Sequence, residues 1–394
     1  MATDGDRPHD VVVFGATGFT GRLTAEYLAR HAPAETRWAL AGRRRDKLEH
    51  LREELCEANP QCGDLNLVEA DVSDDASVRE LAEGARVVIT TVGPYINYGE
   101  PLVAACASAG TDYVDLTGEP EFVDRMWLRH HDRAQASGAR IVHSCGFDSI
   151  PHDLGAYHAV QQLPSGVPIR LEGFVAASGS FSGGTYQSAI TAFSRMRQYA
   201  RVSRERRRRE GEPADRQVRA FTGRVRYHRE LKRWVVPFPS IDPQVITRSA
   251  RAVDRYGPDF AYGHYLQLKN LPTVVGLAGG VTGLMAVAQL PPAREWLLQR
   301  KGSGEGPTPE QRAKGWFRVR FAGEGDGRRV ATEVRGGDPG YGETSKLLAE
   351  AALCLAHDSL PSTAGQVTPV TAMGDALLAR LQAAGVEFRV LESG

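Results

Sequence analysis

An unbroken apolar run, Val11-Val-Val-Phe14, passes directly into Gly15-Ala-Thr-Gly18-Phe-Thr-Gly21, and this junction constrains the fold more than any other stretch of the chain. Four consecutive apolar residues suit a strand buried on both faces. Glycines at i, i+3 and i+6 suit a strand-to-helix turn. Gly15 permits the tight exit from the strand, Gly18 lets a ligand approach the backbone, and Gly21 lets the next helix lie close to the sheet. That helix is expected over Phe19–His31, with Leu23, Tyr27 and Leu28 on one face. Its first N–H groups and its dipole together favour an anion. A glycine triplet alone is a weak signal, since a Gly-rich turn in any α/β protein looks similar; its context decides.

The context is a strict alternation. Strands are expected at Trp38–Ala41, Leu65–Val68, Arg86–Thr91, from Tyr113, and at Ile141-Val142. Helices are expected at Asp46–Cys56, through Leu81 with Asp74 or Asp75 as cap, at Pro101–Ala109 and at Pro120–Ala136. This rhythm predicts an α/β fold, a Rossmann-type doubly wound parallel sheet over residues 1–146. It places a dinucleotide on Gly15, Ala16, Thr17, Gly18, Phe19, Thr20 and Gly21. The second strand runs into Ala41-Gly42-Arg43-Arg44-Arg45, where an NAD site usually carries Asp or Glu. A guanidinium pairs bidentately with a 2′-phosphate, so NADP(H) is expected, held by Arg43 and then Arg44. The other reading of these arginines is a solvated basic turn. Asp71 is placed either against the adenine amino group or as a cap on the next turn. Val92-Gly93-Pro94-Tyr95 follows the fourth strand, at the sheet edge where the nicotinamide belongs.

Acidic and basic residues balance at 48 each over 394 residues, which gives no reason to expect a nucleic-acid partner. Five cysteines, none in a C-x-x-C pair, speak against a zinc ribbon or a disulfide framework; no metal is expected, and the setting is expected to be reducing and cytoplasmic. Met1 to Asp10 has no apolar signal core. Leu271–Leu290 is apolar yet holds four glycines and a proline. It is expected as a buried helix or an apolar substrate lining rather than a membrane span, with shallow peripheral membrane contact left open. Arg170–Ala177 reads as a strand of a second sheet, and Ser182-Gly-Gly-Thr185 as the start of a helix to about Val202. The basic run Arg204–Arg209 that follows is either a solvated segment or a dock for an acidic carrier protein or an anionic membrane. Trp316–Phe321 and Arg329–Val334 form an expected hairpin; Glu343–His357 and Met373–Ala384 are expected helices.

Several blocks taken in order resemble the saccharopine dehydrogenase-like family, specifically its trans-acting enoyl reductase branch. They are Gly15–Gly21, Ala41-Gly-Arg43, Val92–Tyr95, Tyr113-Val-Asp-Leu-Thr-Gly-Glu119, Cys145-Gly-Phe-Asp-Ser-Ile-Pro151, Ser182–Thr185, Gly304–Pro307, Pro339–Gly342 and Thr368–Gly374. The resemblance implies an α+β substrate and oligomerisation domain inserted over 147–338, and a helical segment over 339–394 returning to the Rossmann domain. It implies an NADPH-dependent enzyme that reduces an enoyl group of an acyl or polyketide lipid intermediate, free or carrier-bound, and a homo-oligomer. The alternatives are an imine-forming or imine-reducing amino-acid dehydrogenase, and a nucleotide-binding lipid-associated protein without turnover. Enoyl reduction needs a proton donor and a partner for the enolate oxygen. Tyr95, Asp148 and Tyr186 are the first candidates, with Cys145 and His152 behind them. Each also has a plain structural reading as core aromatic, cap or filler.

Overall fold

In a computed structural model of the chain, residues 7–178, 194–288 and 306–393 are described. They form two compact units. One holds the chain through Phe147 together with Tyr341–Leu381; the other holds the chain from Asp148, Pro307–Gly340, and the chain from Gln382 onward.

The first unit is built on seven parallel strands: β1 (His9–Phe14), β2 (Trp38–Gly42), β3 (Asn66–Glu69), β4 (Ala85–Thr90), β5 (Asp112–Asp115), β6 (Arg140–Val142) and β14 (Gly365–Val367). Their order is β14-β6-β5-β4-β1-β2-β3. The direction of winding therefore reverses between β1 and β4, which opens a crevice beyond their carboxyl ends. β1 is buried along its whole length, as its apolar run requires. Val12 and Phe14 join Ala39, Val88, Leu102 and Phe122 in one core. Helix α1 (Phe19–His31) follows the glycine turn. Helix Gly342–His357, apolar almost all round, packs against β1, β4 and β5, so the C-terminal region completes the Rossmann-like sheet.

The second unit carries a mixed sheet of β7 (Ile169–Ser178), β8 (Gln217–Ala220), β9 (Arg226–His228), β10 (Arg233–Pro237), β11 (Asp259–Leu268), β12 (Trp316–Gly325), β13 (Arg328–Gly336) and β15 (Glu387–Ser393). The order is β15-β13-β12-β7-β11-β10-β9, with β8 on β11. Phe317, Val319 and Phe321 of β12 point into the core, and Arg318 and Arg320 point out, as period two dictates. Helix Ile150–Val160 lies on the apolar face so closely that a Cβ on Gly155 would sit 2.4 Å from Phe321 and 2.7 Å from Val334.

Three expectations are corrected. The segment 339–394 is not wholly helical and does not stay with the first unit: Glu387–Ser393 pairs antiparallel with β13 of the second sheet. Val386, Phe388 and Val390 alternate with charge, which is a strand's period. Leu271–Ala288 is a helix, but among its described side chains only Val274 is buried, while Leu271 and Val275 face solvent. Over these described residues the helix is exposed where burial was expected. Among the described residues no helix is long and apolar enough to cross a membrane. The basic run does not follow a helix that stops near Val202 but forms the last turns of one, Met196–Glu210, in which Arg206 is buried and pairs with Glu210 at 3.3 Å.

Candidate active site

The glycine turn has the geometry its spacing called for. Gly15 adopts φ +83°, and a Cβ there would meet Val92 Cγ2 at 2.8 Å and Thr91 Oγ1 at 2.9 Å. The N–H groups of Gly15 and Ala16 both donate to Ala41 O, at 3.0 and 3.2 Å, which fixes the turn on β2. Gly18 is the cap of α1. The cap makes no side-chain hydrogen bond, and no acidic residue stands in the first turn. Thr17 and Gly18 are exposed, and Phe19 packs edge-on against Tyr341 beside Thr20. Gly21 is the tightest point, for a Cβ would lie 2.1 Å from Gly15 O. A helix dipole and a backbone free of side chains fit a pyrophosphate.

Arg43, 74% exposed, leans its Nε to 3.9 Å from Asp71 Oδ2 across the β2 and β3 ends. Such a loose contact leaves most of the guanidinium for a phosphate. Arg44 pairs instead with Asp46 at 3.8 Å. Asp71 Oδ1 accepts from Ser73 N and Oγ at 2.9 and 2.8 Å, and these hydrogen bonds hold its carboxyl below the usual range. The turn-capping reading of Asp71 is thus present in the structure, while its second oxygen faces Arg43.

Beyond β4, Thr91 Oγ1 donates to Gly15 O at 3.1 Å and Gly93 is exposed, with Val92 and Pro94 half-buried. Tyr95 is buried. Its hydroxyl donates to Thr90 O at 3.0 Å and accepts from Leu116 N at 3.2 Å, and burial drives its ionisation far upward. Both hydrogen bonds of that hydroxyl go to the backbone, an arrangement that fits Tyr95 to building the wall. Two carboxylates that the sequence reading passed over organise this edge. Glu119 accepts from Tyr95 N and Ile96 N at 3.1 and 2.8 Å. Asp115 accepts from Thr117 N and Ser144 N, and its other oxygen meets Tyr113 Oη at 2.9 Å and His143 Nδ1 at 2.7 Å. Their signal was an acid at each end of Asp115-Leu-Thr-Gly-Glu119, next to an apolar strand.

Cys145 is buried, with Sγ directed at Val142 O at 3.4 Å, and fills core space. In the second unit, Asp148 keeps part of its surface exposed, yet burial of the carboxyl, aided by the negative charge of Asp242, pushes it up to about 7. Ser149 has φ +136°, a strained value for a residue with a Cβ, and donates to Asp242 Oδ1 at 3.1 Å. His152 Nδ1 lies 3.2 Å from the same oxygen. Asp242 Oδ2 accepts from Ser240 Oγ and stands 3.4 Å from His264 Nε2. Burial alone would raise the Asp242 carboxyl, but His152 and His264 hold it far below the usual range. Tyr186 and Ser182–Thr185 lie outside the described residues.

Residues 11–142 match the saccharopine dehydrogenase NADP-binding domain. A Mycobacterium tuberculosis protein with the provisional name trans-acting enoyl reductase is 38% identical, over 97% of each chain. A Mycobacterium ulcerans protein named trans-acting enoyl reductase is 35% identical, over 96% of this chain and 97% of its own. The Homo sapiens saccharopine dehydrogenase-like oxidoreductase is 31% identical, over 100% of this chain and 99% of its own. Among solved structures, saccharopine dehydrogenase (L-Glu forming) from Saccharomyces cerevisiae shares the fold at TM-score 0.56 and 10% identity, over 98% of this chain and 100% of that one. The chain belongs to the saccharopine dehydrogenase-like family and is an NADP-binding oxidoreductase of that family.

Proposed function

We propose that the protein is an NADPH-dependent enoyl reductase acting on an acyl or polyketide-type intermediate. The observation that carries this reading is the near full-length similarity to mycobacterial proteins named trans-acting enoyl reductase. NADPH, when bound, supplies a hydride to the β carbon of the unsaturated acyl group. The glycine turn and the start of α1 hold the pyrophosphate, and Arg43 holds the 2′-phosphate. Gly93 leaves the carboxyl edge open for the nicotinamide half. Asp148 delivers the proton to the α carbon and is recharged from solvent. A carboxyl titrating near neutrality suits that task, because it is protonated often enough to give and acidic enough to let go.

The test is NADPH consumption against a panel of enoyl thioesters, with the saturated product identified by mass spectrometry. Turnover with wild type and a loss of about 10²–10⁴-fold in kcat for Asp148→Asn are expected. No oxidation with any enoyl thioester sinks the reductase reading; full activity in the variant sinks only the role of Asp148.

A second reading, imine reduction on an amino acid, is favoured by one feature of the second sheet. Arg320, Arg318 and Arg335 place their Nε atoms 2.6, 3.6 and 3.7 Å from Glu333. Three guanidiniums around one carboxylate leave positive charge for an anionic substrate. Turnover with amino-acid and oxo-acid pairs, and none with thioesters, would select it.

A further inference from the structure

We propose that His152, Asp242 and His264 form a site for one divalent transition-metal ion, zinc by the chemistry of the ligands. The three side chains come from three rigid elements: the first turn of helix Ile150–Val160, the first residue of helix Asp242–Ala252, and the middle of β11. One ligand atom from each lies within 4.8 Å of the other two, and all three residues are buried. Zinc bonds to imidazole nitrogen and carboxylate oxygen of about 2.0–2.2 Å, arranged tetrahedrally, put neighbouring ligand atoms about 3.3–3.5 Å apart. Asp242 Oδ1 lies 3.2 Å from His152 Nδ1, and Oδ2 lies 3.4 Å from His264 Nε2. Each histidine–carboxylate spacing matches that of two ligands on one ion.

The surroundings orient these groups. Tyr262 Oη is 2.8 Å from His264 Nδ1. When Nδ1–H donates to that oxygen, the lone pair on Nε2 faces the cluster, the arrangement common to metal-bound histidines. Nε2 is buried and makes no aligned hydrogen bond, despite its approach to Asp242. In that tautomer a lone pair facing a carboxylate is repulsive unless a cation lies between them. Ser149 and Ser240 donate to the two oxygens of Asp242 and fix the plane of the carboxylate. Two neutral imidazoles, one carboxylate and a dication leave a single positive charge and a fourth position for water or a serine hydroxyl. The residues sit 90 and 22 positions apart, so no local motif announces them. Hydride transfer from NADPH needs no metal, but the site adjoins the proton donor proposed above: a bound dication would offset the negative charge of Asp242 that helps raise Asp148.

The experiment uses the full chain without a histidine tag, produced in zinc-supplemented medium, exchanged through a brief chelator wash and analysed for metals. About one zinc per chain is expected, falling at least tenfold in His264→Gln and Asp242→Asn. A far-UV circular dichroism spectrum and a urea transition of wild-type amplitude certify that both units of each variant have folded. If a variant does not fold, X-ray absorption on the wild type decides: two imidazole nitrogens near ~2.0 Å support the site. A metal-free wild type overturns it, as do equal zinc in folded variants or a sulfur-dominated shell. Each of those results leaves a carboxylate tied directly by two histidines and two serines.

Discussion

At the scale of single residues, the cofactor end of the molecule depends on atoms that are absent. Gly21→Ala puts a Cβ 2.1 Å from Gly15 O, and backbone cannot step aside there. We expect at least tenfold weaker NADPH binding by fluorescence titration. Arg43→Ala removes an exposed side chain with one loose partner, so the melting temperature should hold. NADPH affinity should fall about tenfold or more while NADH affinity stays level; an unchanged preference would remove Arg43 from the site. Asp148 makes a pH prediction whose sign follows from linkage. Its folded value of about 7 lies above an unfolded value of about 3.9. Between these the folded state binds more protons, so its contribution to stability falls as pH rises through this window and is level above it. Asp148→Asn should therefore gain on wild type at pH ~8, by at most about 4 kcal/mol, and not at pH ~4. Urea denaturation at both values measures this.

At the scale of elements, opposing local preferences are settled by what each element packs on. Gly155 sits inside a helix, where alanine would gain about 1 kcal/mol in propensity. A Cβ there would press on Phe321 and Val334 at under 3 Å in a buried layer, and overpacking of that kind costs about 1–3 kcal/mol. We expect Gly155→Ala to lower the urea midpoint on balance; a rise would mean that β12 and β13 yield easily. The strands and helices of the first unit were legible because buried parallel strands leave continuous apolar runs. Helix Phe19–His31 falls on the residues its pattern marked. Asp74 caps the third helix, its side chain accepting from Ala76 N. Strands β8 and β9 were missed because Gln217–Ala220 and Arg226–His228 are short, polar and largely exposed, with no period to read; β10 and β11 were missed as well, although β11 is long and mostly buried.

At the scale of the whole molecule, two units with separate cores should answer the cofactor differently. Saturating NADPH, at about a hundred times its Kd, stabilises whatever binds it by about 2.7 kcal/mol. Hydrogen exchange should slow over residues 12–21, 41–45 and 90–96, and stay unchanged over the β12–β13 hairpin. Protection confined to the hairpin would place the cofactor elsewhere.

The order of residues by itself determined the dinucleotide half. A turn that tolerates only glycine, and a strand with no polar face, are local demands that few folds satisfy. The place of Arg43 just past the end of β2 was likewise legible. Tertiary structure alone decided that the Tyr95 hydroxyl is occupied by backbone, that Asp115 and Glu119 brace the edge, and that His152, Asp242 and His264 converge. Those outcomes depend on packing between residues distant in sequence, and no local pattern encodes which polar atoms will meet once water is removed.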